Sequence, residues 1–136
     1  MGNMSFKGLA NIGQINIPVH DLDTSVEFYR DILGISFLFQ VPKMAFFDCG
    51  SVRLLLAVPE DAEFDHPSSI IYFKVDDIHS VSDTLQKRGV VITKQPHLIA
   101  EMPDHELWMS FFNDSEGNTQ ALMSEVKKSN RSETVG

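Results

Sequence analysis

The segment Gln14-Ile15-Asn16-Ile17-Pro18-Val19 alternates polar and apolar side chains with a period of two. That period places Ile15, Ile17 and Val19 on one face of a strand and Gln14, Asn16 and Pro18 on the other. Pro18 has no N–H to give to a ladder, so this strand belongs beside an open or irregular neighbour. From Leu22 the period turns helical. Leu22, Val26, Tyr29 and Leu33 fall on one stripe, Asp23 or Thr24 can cap it, Glu27 can complete a capping box from Thr24, and Gly34 ends it. Three strand-like runs follow at residues 35–41, 44–48 and 52–58, separated by Pro42-Lys43 and Cys49-Gly50-Ser51. This half reads βαβββ.

After a connector at residues 59–67, rich in Pro, Glu and Asp, the pattern begins again. Ile71, Phe73 and Val75 alternate as Ile15, Ile17 and Val19 do, and Asp76-Asp77-Ile78 stands where His20-Asp21-Leu22 stands. Ile78, Val81 and Leu85 mark a second helix that Gly89 closes, and strands are expected at 90–94, 107–112 and 119–124. Phe46-Phe47-Asp48 is echoed by Phe111-Phe112-Asn113, and Leu54-Leu55-Leu56 by Ala121-Leu122-Met123. The chain therefore reads as two copies of one module, at a spacing of about 56 to 67 residues that grows along the repeat. Module one covers 12–58 and module two 68–126. They form one α+β domain, preceded by a segment at 1–11 and followed by a polar tail at 127–136 that has no periodicity and is expected to fray.

Composition narrows the function. With 136 residues the chain is one domain long, and 43% apolar content is enough for a folded core. Lys plus Arg number 11 against 19 Asp plus Glu, and a net charge of −8 repels nucleic acid and anionic lipid. No apolar run approaches the ~20 residues of a membrane span, and the start, Met1 to Lys7, lacks the layout of a secretion signal. The single Cys49 can form no internal disulfide, which fits a reducing compartment. The expectation is a cytoplasmic protein without membrane or nucleic-acid partners.

Ile15-Asn16-Ile17-Pro18-Val19 with Asp21-Leu22-Asp23 and Phe28-Tyr29-Arg30-Asp31-Ile32-Leu33-Gly34 resembles the strand–helix opening of the glyoxalase, bleomycin-resistance and extradiol-dioxygenase superfamily, the vicinal oxygen chelate proteins. Phe112-Asn113-Asp114-Ser115-Glu116-Gly117-Asn118 is similar to that family's Asp-Pro-Asp-Gly-Asn turn, with Ser115 in the usual Pro position. The resemblance spans residues 12–126. It implies two βαβββ modules whose strands make an incomplete barrel around a ligand cavity, helices packed outside, and homodimers.

It also implies where metal-dependent relatives take their ligands, and here those positions fall on Gln14, on Leu54 or Leu55, on Ile70 and on Ala121. Only Gln14 has a donor atom, short of the three protein ligands a functional centre needs, so no metal and no other cofactor is expected. A separate site is conceivable from His97, His105 and Glu101 as a facial triad, or from His105 or His97 as a general base. The competing reading makes both histidines hydrogen-bonding residues at loop or strand ends. By strand parity Gln14, Asn16, Tyr72 and Lys74 point away from the helix side and toward a ligand. Trp108, beside His105, reads either as an aromatic wall of the cavity or as a core or dimer-contact indole, and Arg53 reads as an anion contact or a surface ion pair.

The expected ligand-binding set is thus Gln14, Asn16, Tyr72, His97, His105 and Trp108. Two functions compete, with a regulatory or structural module that keeps only a vestigial pocket as a third reading. One is a metal-independent protein that holds a small molecule, cationic or planar, in the sheet cavity or dimer cleft, as the antibiotic-sequestering relatives do. The other is an enzyme of lyase, isomerase or dioxygenase type, working from His97 and His105.

Overall fold

The computed structural model describes residues 6–128. Module one runs β1 (Gln14–Pro18), α1 (Leu22–Glu27, prolonged by a wider π-type turn over Phe28–Ile32), β2 (Ser36–Val41), β3 (Met44–Cys49) and β4 (Val52–Ala57). A single 3-10 turn at Ala62–Phe64 interrupts the connector. Module two repeats the order with β5 (Tyr72–Lys74), α2 (Ile78–Lys87), β6 (Ile92–Glu101), β7 (His105–Asn113) and β8 (Thr119–Lys127). Two four-stranded sheets result, ordered β1-β4-β3-β2 and β5-β8-β7-β6, and they do not close into a barrel. β1 lies at an edge, paired in parallel with β4 alone, and Pro18 is its last residue.

Each helix starts on an aspartate one residue before its apolar stripe. Asp21 adopts an extended conformation and accepts from the Thr24 N–H (3.1 Å) and the Thr24 hydroxyl (2.8 Å), while Asp77 accepts from the Ser80 N–H (3.2 Å). The cap expected at Asp23 or Thr24 therefore moves back to Asp21, because Thr24 is spent as the donor that the cap satisfies. The second half of module two is longer than its apolar alternation indicates. β6 extends through Glu101 and carries three register irregularities, β7 opens at His105, and β8 continues to Lys127. Pro96 and the bulges break the two-residue period without ending the ladder. The expected tail accordingly begins later: Lys127 closes β8 and the Lys128 N–H donates to the Asp104 carbonyl at 3.0 Å. Residues 129–136 lie outside the described residues.

α1 packs on the first sheet and α2 on the second, and one core unites them. Ile17, Phe47 and Leu56 from module one share it with Leu85, Phe112 and Leu122 from module two. Burying each such side chain stabilises the fold by about 1.5–3 kcal/mol. Polar bonds stitch the modules on the same side: the buried Tyr29 hydroxyl donates to Asp114 at 2.6 Å, Ser25 and Ser115 are 2.9 Å apart, and Arg88 donates to the Ile32 carbonyl at 2.8 Å. Burial beside the Asp114 carboxylate drives the Tyr29 hydroxyl far above its ordinary pKa, so it acts only as a neutral donor. No helix among the described residues is long and apolar enough to cross a membrane.

Candidate functional site

Each helix packs on the core side of its own sheet, and the opposite face of each sheet carries no helix. Strand register states what those uncovered faces carry. On the first sheet Asn16 pairs with Leu55, Leu55 with Phe46, and Phe46 with Phe39. On the second, Tyr72 pairs with Ala121, Ala121 with Phe111, and Phe111 with Lys94. The Phe39 and Phe46 rings stack at 4.6 Å between centroids, and the Arg53 guanidinium lies 5.8 Å from the Phe46 centroid. Tyr72 meets Phe111 edge to face at 6.0 Å. Beside the first aromatic pair opens a groove of about 340 Å³. Asn16, Met44 and Leu55 line it together with Glu60, Asp61 and Phe64 of the connector.

The structure divides the expected ligand-binding residues. Asn16 lines the groove, and Gln14 sits exposed at the start of β1 opposite Arg53. Tyr72 belongs to the uncovered face of the second sheet, as do His97, opposite Met109, and His105, opposite Lys127. Trp108 does not join them. As the strand neighbour of Leu107 and Met109 it points to the helix side, where its ring meets His79 of α2 at 5.2 Å and its indole N–H donates to Glu106 at 3.2 Å. Arg53 resolves as a cation over an aromatic ring.

The histidines are tied up separately. His97 Nδ1 donates to the Gln95 carbonyl at 2.8 Å. His105 Nδ1 lies 2.7 Å from Asp104, which this contact holds below the usual carboxylate pKa range, and its Nε2 is 3.9 Å from Glu125. Glu101 pairs with Lys128 at 3.2 Å. His97, His105 and Glu101 are not brought together as a triad, and among the described residues no three His, Cys, Asp or Glu side chains are grouped to hold a metal ion.

The positions where the resemblance would put a metal can now be tested by register. The pairing of Asn16 with Leu55 and of Tyr72 with Ala121 decides between the two leucines. Leu55 is on the uncovered face, whereas Leu54 is in the core. Ile70 precedes β5, and Ala121 is fully buried between its ladder partners Tyr72 and Phe111. One amide oxygen and three hydrocarbon side chains are no donor set for a cation.

Sequence alone missed two features. The connector, expected to be merely solvated, forms one wall of the groove, and Phe64 inside its acidic run was the available signal. It is also clasped: His20 Nε2 lies 2.8 Å from Asp65 and Nδ1 lies 3.1 Å from Glu116, whose other oxygen accepts the His20 and Asp21 N–H groups at 2.8 Å.

Comparison with known proteins agrees with this architecture. Residues 11–122 match the profile of the Glyoxalase/Bleomycin resistance protein/Dioxygenase superfamily. The chain is 31% identical over 122 residues to the uncharacterized protein YraH of Bacillus subtilis (strain 168), covering 77% of this chain and 91% of that one. Among solved structures it is similar to TnmS3, an antibiotic binding protein from Streptomyces sp. CB03234. That match has a TM-score of 0.72 at 20% identity and covers 88% of this chain and 99% of the other. It is also similar to a lactoylglutathione lyase from Agrobacterium tumefaciens, with a TM-score of 0.67 at 22% identity over 87% and 96% of the two chains. The protein belongs to the glyoxalase/bleomycin resistance/dioxygenase superfamily. A binding protein and a lyase are alike near neighbours in shape, so fold does not choose between their activities.

Proposed function

We propose that this chain binds a small planar or cationic molecule on the uncovered sheet faces without a metal, in the manner of the antibiotic-sequestering members of its superfamily. The observation that carries the reading is the groove itself: an apolar floor of Met44, Leu55 and Ala57, the Phe64 ring in its wall, and two carboxylates, Glu60 and Asp61, against one cation, Lys43, at its edge. An aromatic ligand finds apolar surface and the Phe64 ring there, and a positive charge is favoured by those carboxylates within a net charge of −8. The TnmS3 likeness supports a binding role. In this reading two copies pair so that the open faces do not remain in water, and the protein works in the reducing cytoplasm, where Cys49 stays a thiol. The lyase-type alternative lacks a comparable feature, since His97 and His105 are occupied by separate local partners.

Calorimetric titration with a basic glycopeptide antibiotic of the bleomycin class and with a planar cationic dye tests this, run once with chelator and once with added nickel, zinc or iron. Saturable binding that is indifferent to chelator is the expected result. Absence of heat and of any melting shift across the set refutes the binding reading. A stoichiometric metal in protein purified without chelator refutes its metal-free part.

A further inference from the structure

The connector is fastened firmly only at its two ends. Just before it the Val58 N–H donates to the Lys43 carbonyl at 2.9 Å, and just after it the Ser68 N–H donates to the Asn118 side chain at 3.2 Å while the Gln120 amide donates to the Ser68 hydroxyl at 3.1 Å. Among the described residues, those between, 59–67, make one polar bond to the rest of the chain, from Asp65 to the His20 ring at 2.8 Å. The same segment walls the groove with Pro59, Glu60, Asp61 and Phe64. A single 3-10 turn joins that wall to the bond: the Phe64 N–H donates to the Asp61 carbonyl at 3.0 Å and the Asp65 N–H to the Ala62 carbonyl at 3.1 Å, so Phe64 and Asp65 move together.

The geometry of the ring calls for a charge. Both nitrogens of His20 face carboxylate oxygens, Nε2 toward Asp65 at 2.8 Å and Nδ1 toward Glu116 at 3.1 Å, and an ionised carboxylate only accepts. Imidazolium has two N–H donors and satisfies both. Neutral imidazole has one, and turns a lone pair toward the other carboxylate. Glu116 is held in place, because its second oxygen accepts the His20 and Asp21 N–H groups at 2.8 Å. The neighbouring charges agree. Residues 59–67 carry the carboxylates Glu60, Asp61, Glu63 and Asp65 and no Lys or Arg, and they come up against Glu116 of the β7–β8 turn in a recess that His66 also lines. The Asp21 carboxylate, next along the chain, is turned to Thr24, and His66 Nδ1 donates to the Pro67 carbonyl at 3.0 Å, so His20 is the cation placed between the two acidic sides.

We infer that protonated His20 latches the connector against the β7–β8 turn and so holds the wall of the groove in place, making ligand affinity follow the charge of this ring. The latch regulates the groove read above as the ligand site, and it rests on that reading. Asp65, by hydrogen bond and charge, and after it Glu116 raise the ring above its ordinary pKa of 6.5; the latch therefore holds below pH 6.5 and is released as pH rises through the raised value. The His20 side chain is 67% exposed, so the expected size is that of a surface ion pair, about two- to fivefold in affinity.

Ethidium, a planar cation whose charge is constant over this range, is the probe. Its dissociation constant, from fluorescence titration, is expected to rise about two- to fivefold for the parent between about pH 5.5 and about pH 8.5. His20→Gln is expected to bind with the weaker constant at both pH values. His20→Arg, whose charge does not titrate, is expected to bind with the tighter one at both, and His66→Gln to keep the parent's slope. Amide hydrogen exchange without the dye reads the connector itself: protection at Phe64 and Asp65, corrected for intrinsic rates, is expected to fall over the same range in the parent and to stay level in His20→Arg. A dye affinity indifferent to pH, a slope that survives in His20→Gln, or protection indifferent to pH overturns the proposal. No ethidium binding at either pH refutes the groove reading instead; protection that falls only where His20 can titrate then upholds the latch, and level protection overturns it.

Discussion

The two modules are the same structure written twice, and they agree more closely on one side of each sheet than on the other. Facing the helices, Phe47 answers to Phe112 and Leu56 to Leu122, and the caps Asp21 and Asp77 stand at matching points. On the uncovered side Phe46 answers to Phe111, but the residues around them differ in chemistry: Asn16 against Tyr72, Leu55 against Ala121, Phe39 against Lys94. The inner face is held by packing, which any copy of this fold must satisfy. The outer face is free to diverge: the groove of about 340 Å³ beside the first aromatic pair is walled by the connector, whereas the recess of about 430 Å³ that includes Tyr72 of the second pair is lined mainly by strand residues and the Gly50 turn. Function in this chain is thus expected on the face where the repeat is broken.

The largest effect that could break this comparison comes from adjacent phenylalanines in one strand. Phe47 is fully buried, and Phe47→Ala is expected to cost about 4 kcal/mol in urea unfolding. Phe46→Ala, one residue away on the uncovered face, is expected to cost less than about 1 kcal/mol while weakening ligand binding at least tenfold. If the two variants lose stability equally, the outer face is not free and the division between faces fails.

The next effect tests an asymmetry between the modules. Asp114, buried in the β7–β8 turn, accepts from the Tyr29 hydroxyl, from the Glu116 and Asn118 N–H groups, and from the Asn118 amide. Asp114→Ala strands a buried hydroxyl and two backbone donors, and is expected to cost about 3 kcal/mol. Cys49, at the corresponding end of β3 in module one, has a thiol pushed above its ordinary pKa by burial and, less so, by the Asp48 charge, and acts as a small apolar side chain. Cys49→Ala is expected to shift the unfolding midpoint little. A smaller effect of opposite sign comes from Ser82, the α2 counterpart of Val26: its hydroxyl is buried without a hydrogen-bond partner, so Ser82→Ala is expected to stabilise by about 1 kcal/mol.

How much of this was legible follows from the same division. The βαβββ repeat was readable because helix and strand periods are imposed by the shared core, as in Ile15, Ile17, Val19 and Ile71, Phe73, Val75. β6 was cut short because its bulges and Pro96 change facing without ending pairing. Trp108 was drawn toward His105 by proximity in sequence, although the strand rule sends Trp108 and His105 to opposite faces; parity, applied there as it was to Gln14 and Tyr72, would have separated them. The His20 clasp could not be read and the groove wall at Pro59 to Phe64 was signalled by Phe64 alone, since both depend on where a connector lies in space and no local period encodes that.

The smallest effect concerns that clasp, which module two lacks because Asp76 stands where module one has His20. The hydrogen bond and charge of Asp65, with a further contribution from Glu116, raise the His20 pKa above its ordinary value of 6.5; His66 lines the same polar recess. A pKa raised on folding means that the folded state binds the proton more tightly than the unfolded chain does. The clasp then contributes fully below pH 6.5 and its contribution is lost as pH rises through the folded-state pKa. Urea midpoints of the parent and of His20→Gln, compared across this interval, are expected to differ most on the acidic side and to converge toward alkaline pH. Asp76→Asn is expected to leave the parent slope unaltered, because no imidazole titrates at that point of module two. A gap between parent and His20→Gln that stays constant with pH would show that the ring holds the connector by neutral hydrogen bonds and not by charge.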